Sequence, residues 1–130
     1  MKQKILIVED DPVIQSQLAT LLTGNGYEVE AATDFTSVAD TAKAFQPHLI
    51  LLDIALPGTS GFTVCSQIRS FSQVPIIFVT SSGSDMDELN SIMLGGDAFI
   101  TKPYHTAILL AKVASLLKKA SPLSQDAPLT

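Results

Sequence analysis

Glu9, Asp10 and Asp11 follow the apolar run Ile5–Val8, and Asp53 closes the run Leu49–Leu52. Thr80 closes the run that begins at Ile76, and Lys102 comes just after Ala98–Ile100. Carboxylates brought to one place repel one another unless a cation lies among them. Oxygen donors without His or Cys suit a hard cation such as Mg²⁺, which takes one or two carboxylates, keeps waters and bridges to a phosphate. A hydroxyl and an ammonium beside such a cluster suit the remaining charge of a phosphoryl group. A carboxylate can itself accept a phosphoryl group as an acyl phosphate, and Asp53 is the natural candidate. An acidic triplet alone reads as a solvated loop or a helix cap. Four chemical positions, each just past an apolar run, read as one site.

Those positions converge if the runs are neighbouring parallel strands, and the rest of the chain supports this. At 130 residues and 46% hydrophobic, it is one domain's worth of chain with enough apolar residues for three packed layers. Ile5–Val8, Tyr27–Ala32, Leu49–Leu52, Ile76–Thr80 and Ala98–Ile100 read as strands. Amphipathic stretches alternate with them. Ile14, Leu18, Leu21 and Leu22 follow the Asp11-Pro12 cap signal. Val38, Ala42 and Phe45 follow Asp34 as a cap and end before Pro47. Val64, Ile68 and Phe71 form a third inward stripe, Asp85–Leu94 a short helix with an acidic first turn, and Thr106–Lys119 a last helix with Leu109, Val113, Leu116 and Leu117 inward. Strict alternation of this kind builds an α/β doubly wound parallel sheet, with ligands beyond the carboxyl ends of the strands. Residues 121–130, rich in Ser, Pro and Ala, read as a linker or tail after a domain over 1–120.

Composition excludes several classes. One cysteine, Cys65, gives no disulfide framework and reads as a buried small hydrophobe. His48 and His105 read as surface residues. With 8 basic and 13 acidic residues the net charge is −5, a poor balance for binding nucleic acid directly. Lys118 and Lys119 complement the end of the last helix. There is no basic-then-apolar leader and no apolar run near the roughly 20 residues of a membrane span, so the expected location is cytoplasmic.

The motifs Ile5-Leu-Ile-Val-Glu-Asp-Asp-Pro12, Leu51-Leu-Asp53-Ile-Ala-Leu-Pro57 with Gly61, Val79-Thr80-Ser81 and Gly95-Gly-Asp-Ala-Phe-Ile-Thr-Lys102-Pro-Tyr104 occur in order. Through them the chain, from residue 3 to about 119, resembles the receiver domain of two-component response regulators. The resemblance implies the CheY-like, flavodoxin-like fold, a five-stranded parallel sheet in the order 2-1-3-4-5. It implies Asp53 as the phosphoacceptor, with Mg²⁺ held by Asp10, Asp53 and the backbone carbonyl of Ala55, and by Glu9 through water. Thr80 and Lys102 would bind the phosphoryl group, Ser81 would border it, and Phe99 would be the switch aromatic. The Lys102–Pro103 peptide would be cis. Ser81, Gly96 and Ala98 depart from the common pattern, where Ala or Gly, Ala, and Asp respectively are frequent.

The implied function is a phosphoacceptor switch that takes its phosphoryl group from a sensor histidine kinase. It assists its own phosphorylation and dephosphorylation and is not a turnover enzyme. The Glu-Asp-Asp-Pro and Thr-Lys-Pro-Tyr-His stretches and the closing helix are similar to the winged-helix OmpR/PhoB-type transcription factors, and within them to regulators paired with peptide-antibiotic-sensing kinases. DNA would then be reached through a domain outside this chain. A homodimer would form on phosphorylation through Asp85, Glu88, Ile92, Asp97, Ile108 and Lys112. The alternative is a stand-alone or hybrid-kinase receiver acting by protein contacts alone. Three further rivals share features with it. A haloacid-dehalogenase-type phosphatase would want an acid where Ala55 stands. A flavodoxin would want a Ser/Thr/Gly-rich loop in place of Glu9-Asp10-Asp11. A pseudo-receiver would have lost Asp53 or Lys102.

Overall fold

The computed structural model describes residues 2–81 and 84–120. The expected tail over 121–130 lies outside the described residues, as does the side chain of Asp85.

Five strands form one parallel sheet: β1 (Lys4–Val8), β2 (Glu28–Ala31), β3 (Leu49–Leu52), β4 (Ile76–Thr80) and β5 (Ala98–Thr101). Their order is β2-β1-β3-β4-β5, as expected, with β1 and β3 in the register Ile7↔Leu51 and β4 and β5 in the register Phe78↔Phe99. The central strands are apolar on both faces because helices cover both. Among the described residues, five helices alternate with them: α1 (Pro12–Gly24), α2 (Val38–Phe45), α3 (Gly61–Arg69), α4 (Asp85–Met93) and α5 (Thr106–Ala120).

On one face Leu18 and Leu22 of α1 and Leu109, Val113 and Leu117 of α5 pack on Ile5, Ile7, Leu49, Leu51, Ile77 and Val79. On the other, Val38 and Ala42 of α2 and Val64, Cys65 and Ile68 of α3 pack on Leu6, Val8, Ile50, Leu52, Ile76 and Phe78. The strict alternation along each strand assigns Thr80 and Phe99 to this second face.

Three local readings need correction. Asp34 does not cap α2: its Oδ1 accepts from the N–H and hydroxyl of Thr36, at 3.0 and 2.7 Å, closing a turn, and the helix begins after Ser37. Phe71 does not face inward. α3 ends at Arg69, and Phe71 is exposed, its ring 4.8 Å from the Lys43 ammonium. The expected loop after Asp53 contains a short antiparallel hairpin, Ala55–Leu56 with Thr59–Ser60.

α4 is unlike the other helices. Ser91 is buried, whereas Met86, Leu89, Ile92 and Met93 are exposed; Ile108 on α5 is exposed as well.

Candidate functional site

Parallel pairing brings the carboxyl ends of β1, β3, β4 and β5 to one edge. The N–H of Asp53 donates to Val8 O at 3.0 Å, and that of Lys102 to Thr80 O at 2.8 Å. These two backbone bonds hold the loops after β1 and β3, and after β4 and β5, side by side. Asp11 starts α1 as expected, its Oδ1 accepting from the N–H groups of Val13 and Ile14 at 2.9 and 3.3 Å.

Glu9, Asp10 and Asp53 each offer a carboxylate oxygen, and these oxygens lie within 4.8 Å of one another. Glu9 and Asp53 are buried and Asp10 is exposed. The Lys102 ammonium donates to Asp53 Oδ2 at 2.9 Å and to Glu9 Oε1. Asp53 Oδ1 accepts from the Ala55 N–H at 3.1 Å, and Glu9 Oε2 from the Asp11 N–H at 3.1 Å. Gly61 packs against the backbone of Asp53: a side chain there would start 2.2 Å from Asp53 O.

Burial pushes the Glu9 carboxyl above its ordinary range, outweighing the hydrogen bonds from Lys102 and Asp11, and the charge of Asp53 adds to the rise. Burial alone would lower Lys102, but its hydrogen bonds to Glu9 and Asp53 prevail and raise it. The site is therefore a desolvated acidic cluster with one internal cation as partial counter-charge. Its all-oxygen donors fit Mg²⁺, with Asp10 at the open side.

Other expected residues fall around this centre. Ser81 is exposed and lines the same cleft as Asp53, Ala55 and Lys102. Thr80 is fully buried, and Phe99 is half-buried against the core on the α2–α3 face. The Lys102–Pro103 peptide is cis. Asp97 is already engaged: its Oδ2 accepts from Arg69 at 3.0 Å and from the Ile76 N–H at 2.8 Å.

Two residues were missed. Tyr104 lines the cleft half-buried, its hydroxyl pushed up by burial. Gln15 reaches back from α1, its Nε2 donating to Glu9 O at 3.0 Å. No spacing rule signals a side chain that binds a carbonyl six residues earlier.

A doubly wound α/β domain with an acidic centre at the carboxyl edge of its sheet is the class of protein that fold and site define. The chain belongs to the response regulator receiver domain family, whose model matches residues 5–114. It is 42% identical over 117 residues to the transcriptional regulatory protein YxdJ of Bacillus subtilis, covering 90% of this chain and 51% of that protein. It resembles the N-terminal domain of the lantibiotic response regulator NsrR, with a TM-score of 0.82 and 43% identity over 90% of this chain and 99% of the other. A CheY-like receiver from Methanospirillum hungatei matches with a TM-score of 0.87 and 30% identity, covering 92% of this chain and 97% of the other. The chain spans about half the length of the curated relatives it matches. It is thus a receiver domain of two-component response regulators, a signalling switch in type, with relatives named as transcriptional regulators. Among the described residues, no helix is long and apolar enough to cross a membrane.

Proposed function

We propose that Asp53 accepts a phosphoryl group from a phosphohistidine of a sensor histidine kinase. The observation that carries this reading is the Lys102 ammonium set between Asp53 and Glu9, with Asp10 beside them. Asp53 Oδ attacks phosphorus, the histidine nitrogen–phosphorus bond breaks, and the imidazole leaves with its electron pair. Mg²⁺, when bound, neutralises charge on the transferring group. Asp10, Asp53 and the Ala55 carbonyl would hold it, and Glu9 would act through water. Lys102 follows the charge onto the new acyl phosphate, Thr80 turns to bond it, and Phe99 moves into the space that Thr80 leaves. Ser81 borders the phosphoryl group. The same groups assist hydrolysis, so the domain times its own signal.

The output we infer is transcription, through a winged-helix DNA-binding domain outside this chain, in a cytoplasmic regulator. The relatives' names support this, and the lantibiotic regulator NsrR supports a peptide antibiotic as the class of stimulus. Residues 1–120 would be the receiver and 121–130 the linker. The exposed apolar residues of α4, with Ile108, Glu88 and Lys112, support a homodimer through α4, β5 and α5. Asp85 and Asp97 complete that proposed face, with Asp97 already shared with Arg69. Titration with beryllofluoride and Mg²⁺ tests the site. Saturable binding lost in Asp53→Asn is expected, and equal binding in that variant would overturn the assignment.

A further inference from the structure

Glu9 is held at three polar atoms: Oε1 by Lys102, Oε2 by the Asp11 N–H, and its carbonyl by the Gln15 amide at 3.0 Å. Asp10, the next residue, has no such support. Its carboxylate is exposed and receives no hydrogen bond from the described residues. What the structure fixes for Asp10 is therefore the backbone from which its side chain departs. The carbonyl of Glu9 and the N–H of Asp10 share one rigid peptide plane. Fixing the carbonyl ties that plane, and the bond from the Asp11 N–H to Glu9 Oε2 ties the next one, so the peptides on both sides of the Asp10 Cα are held and with them the direction in which its side chain leaves the chain.

Gln15 is built for this. Its own N–H donates to Asp11 O at 2.9 Å, in the first turn of α1, and its side chain is half-buried. It anchors the loop to a helix that packs on the sheet through Leu18 and Leu22. A lysine or arginine could donate to the same carbonyl but would bring a positive charge to a cation site. A neutral amide donates without that opposition.

We propose that Gln15 is a positioning residue for the metal ligand Asp10: it does not touch the cation but orients the peptide that carries its exposed carboxylate. This rests on the Mg²⁺ reading above. Calorimetric titration of the metal-stripped 130-residue chain with Mg²⁺ tests it in wild type, Gln15→Met, Gln15→Asn and Asp10→Asn. Methionine keeps the length without the donor, and asparagine keeps the donor one methylene too short. Both Gln15 variants are expected to weaken Mg²⁺ binding about tenfold, the lower end for residues that support a metal ligand. The Mg²⁺ concentration giving half-maximal labelling by acetyl phosphate rises by the same factor, and saturating Mg²⁺ restores the rate. Melting in EDTA reports any structural cost separately. If wild type binds, Asp10→Asn does not, and the Gln15 variants bind like wild type, the positioning role is overturned. A labelling defect that saturating Mg²⁺ does not restore overturns it equally. If wild type and Asp10→Asn behave alike, the Mg²⁺ reading falls and takes this proposal with it.

Discussion

The Lys102 ammonium stands 2.9 Å from Asp53 Oδ2, joining the ends of β3 and β5 across 49 residues of chain. The same nitrogen bonds Glu9, so two buried carboxylates share one cation. Removing it should separate the proposed metal binding from the proposed phosphoryl transfer. Lys102→Ala is expected to retain Mg²⁺ affinity, since a competing cation is gone. Labelling by acetyl phosphate should slow by about a hundredfold, the usual cost of losing one charge-stabilising donor. Wild-type labelling rates in this variant would exclude Lys102 from the reaction.

Glu9 gives a pH prediction. Its carboxyl is raised above the ordinary value of 4.5, so the ionised group costs stability in the metal-free fold. Glu9→Gln should therefore raise the melting temperature in EDTA at neutral pH. The sign follows from protonation. Above the raised folded pKa the full difference is present, and it shrinks as pH falls, vanishing below 4.5, where glutamic acid is as neutral as glutamine. Melting curves in a pH series from below 4.5 up to neutral check this. A difference that stays constant across that span would contradict it.

Gly96 makes a packing prediction. A Cβ there would lie 2.8 Å from both the Phe78 ring and Ser91 O. Gly96→Ala should destabilise the domain by about 1–3 kcal/mol, the range for overpacking. Phe78→Leu should make the alanine less costly, because the ring is one of the two obstacles. A double-mutant cycle in urea measures this coupling, and strictly additive effects would show that the ring gives way freely.

The legible parts of the molecule were those with a strong local pattern. Apolar runs such as Leu49–Leu52 are strands because both faces are covered, and Asp11-Pro12 starts a helix by its own chemistry. The convergence of Glu9, Asp53 and Lys102 followed from strand order. Features that depend on one side chain meeting a distant backbone were not legible. The helical spacing of Val64, Ile68 and Phe71 continues past the true end of α3, where Arg69 instead turns to the carbonyls of Ser72, Val74 and Gly95. Asp34 has cap chemistry, but it acts on a turn three residues too early. Asp97 reads as a surface charge, although Arg69, 28 residues away, already holds it.

The α4 face makes an assembly prediction. Exposed ion pairs contribute about 0–1 kcal/mol each, so the apolar residues must carry the contact. Ile92 is 61% exposed. Wild type should sediment as a monomer, and with Mg²⁺ and beryllofluoride as a dimer at concentrations on the order of tens of micromolar. Ile92→Asp should stay monomeric in both conditions. A dimer insensitive to the mutation and to beryllofluoride would place the interface elsewhere.

Asp53, as the proposed acceptor in a Mg²⁺-dependent phosphoryl transfer, should carry an acyl phosphate. Intact-mass analysis after incubation with acetyl phosphate tests it most directly. Wild type with Mg²⁺ should gain about 80 Da, one phosphoryl group, with the added mass mapping to Asp53. EDTA or Asp53→Asn should abolish the gain. An addition that persists in Asp53→Asn, or one that proceeds unchanged in EDTA, would contradict Mg²⁺-dependent transfer to Asp53.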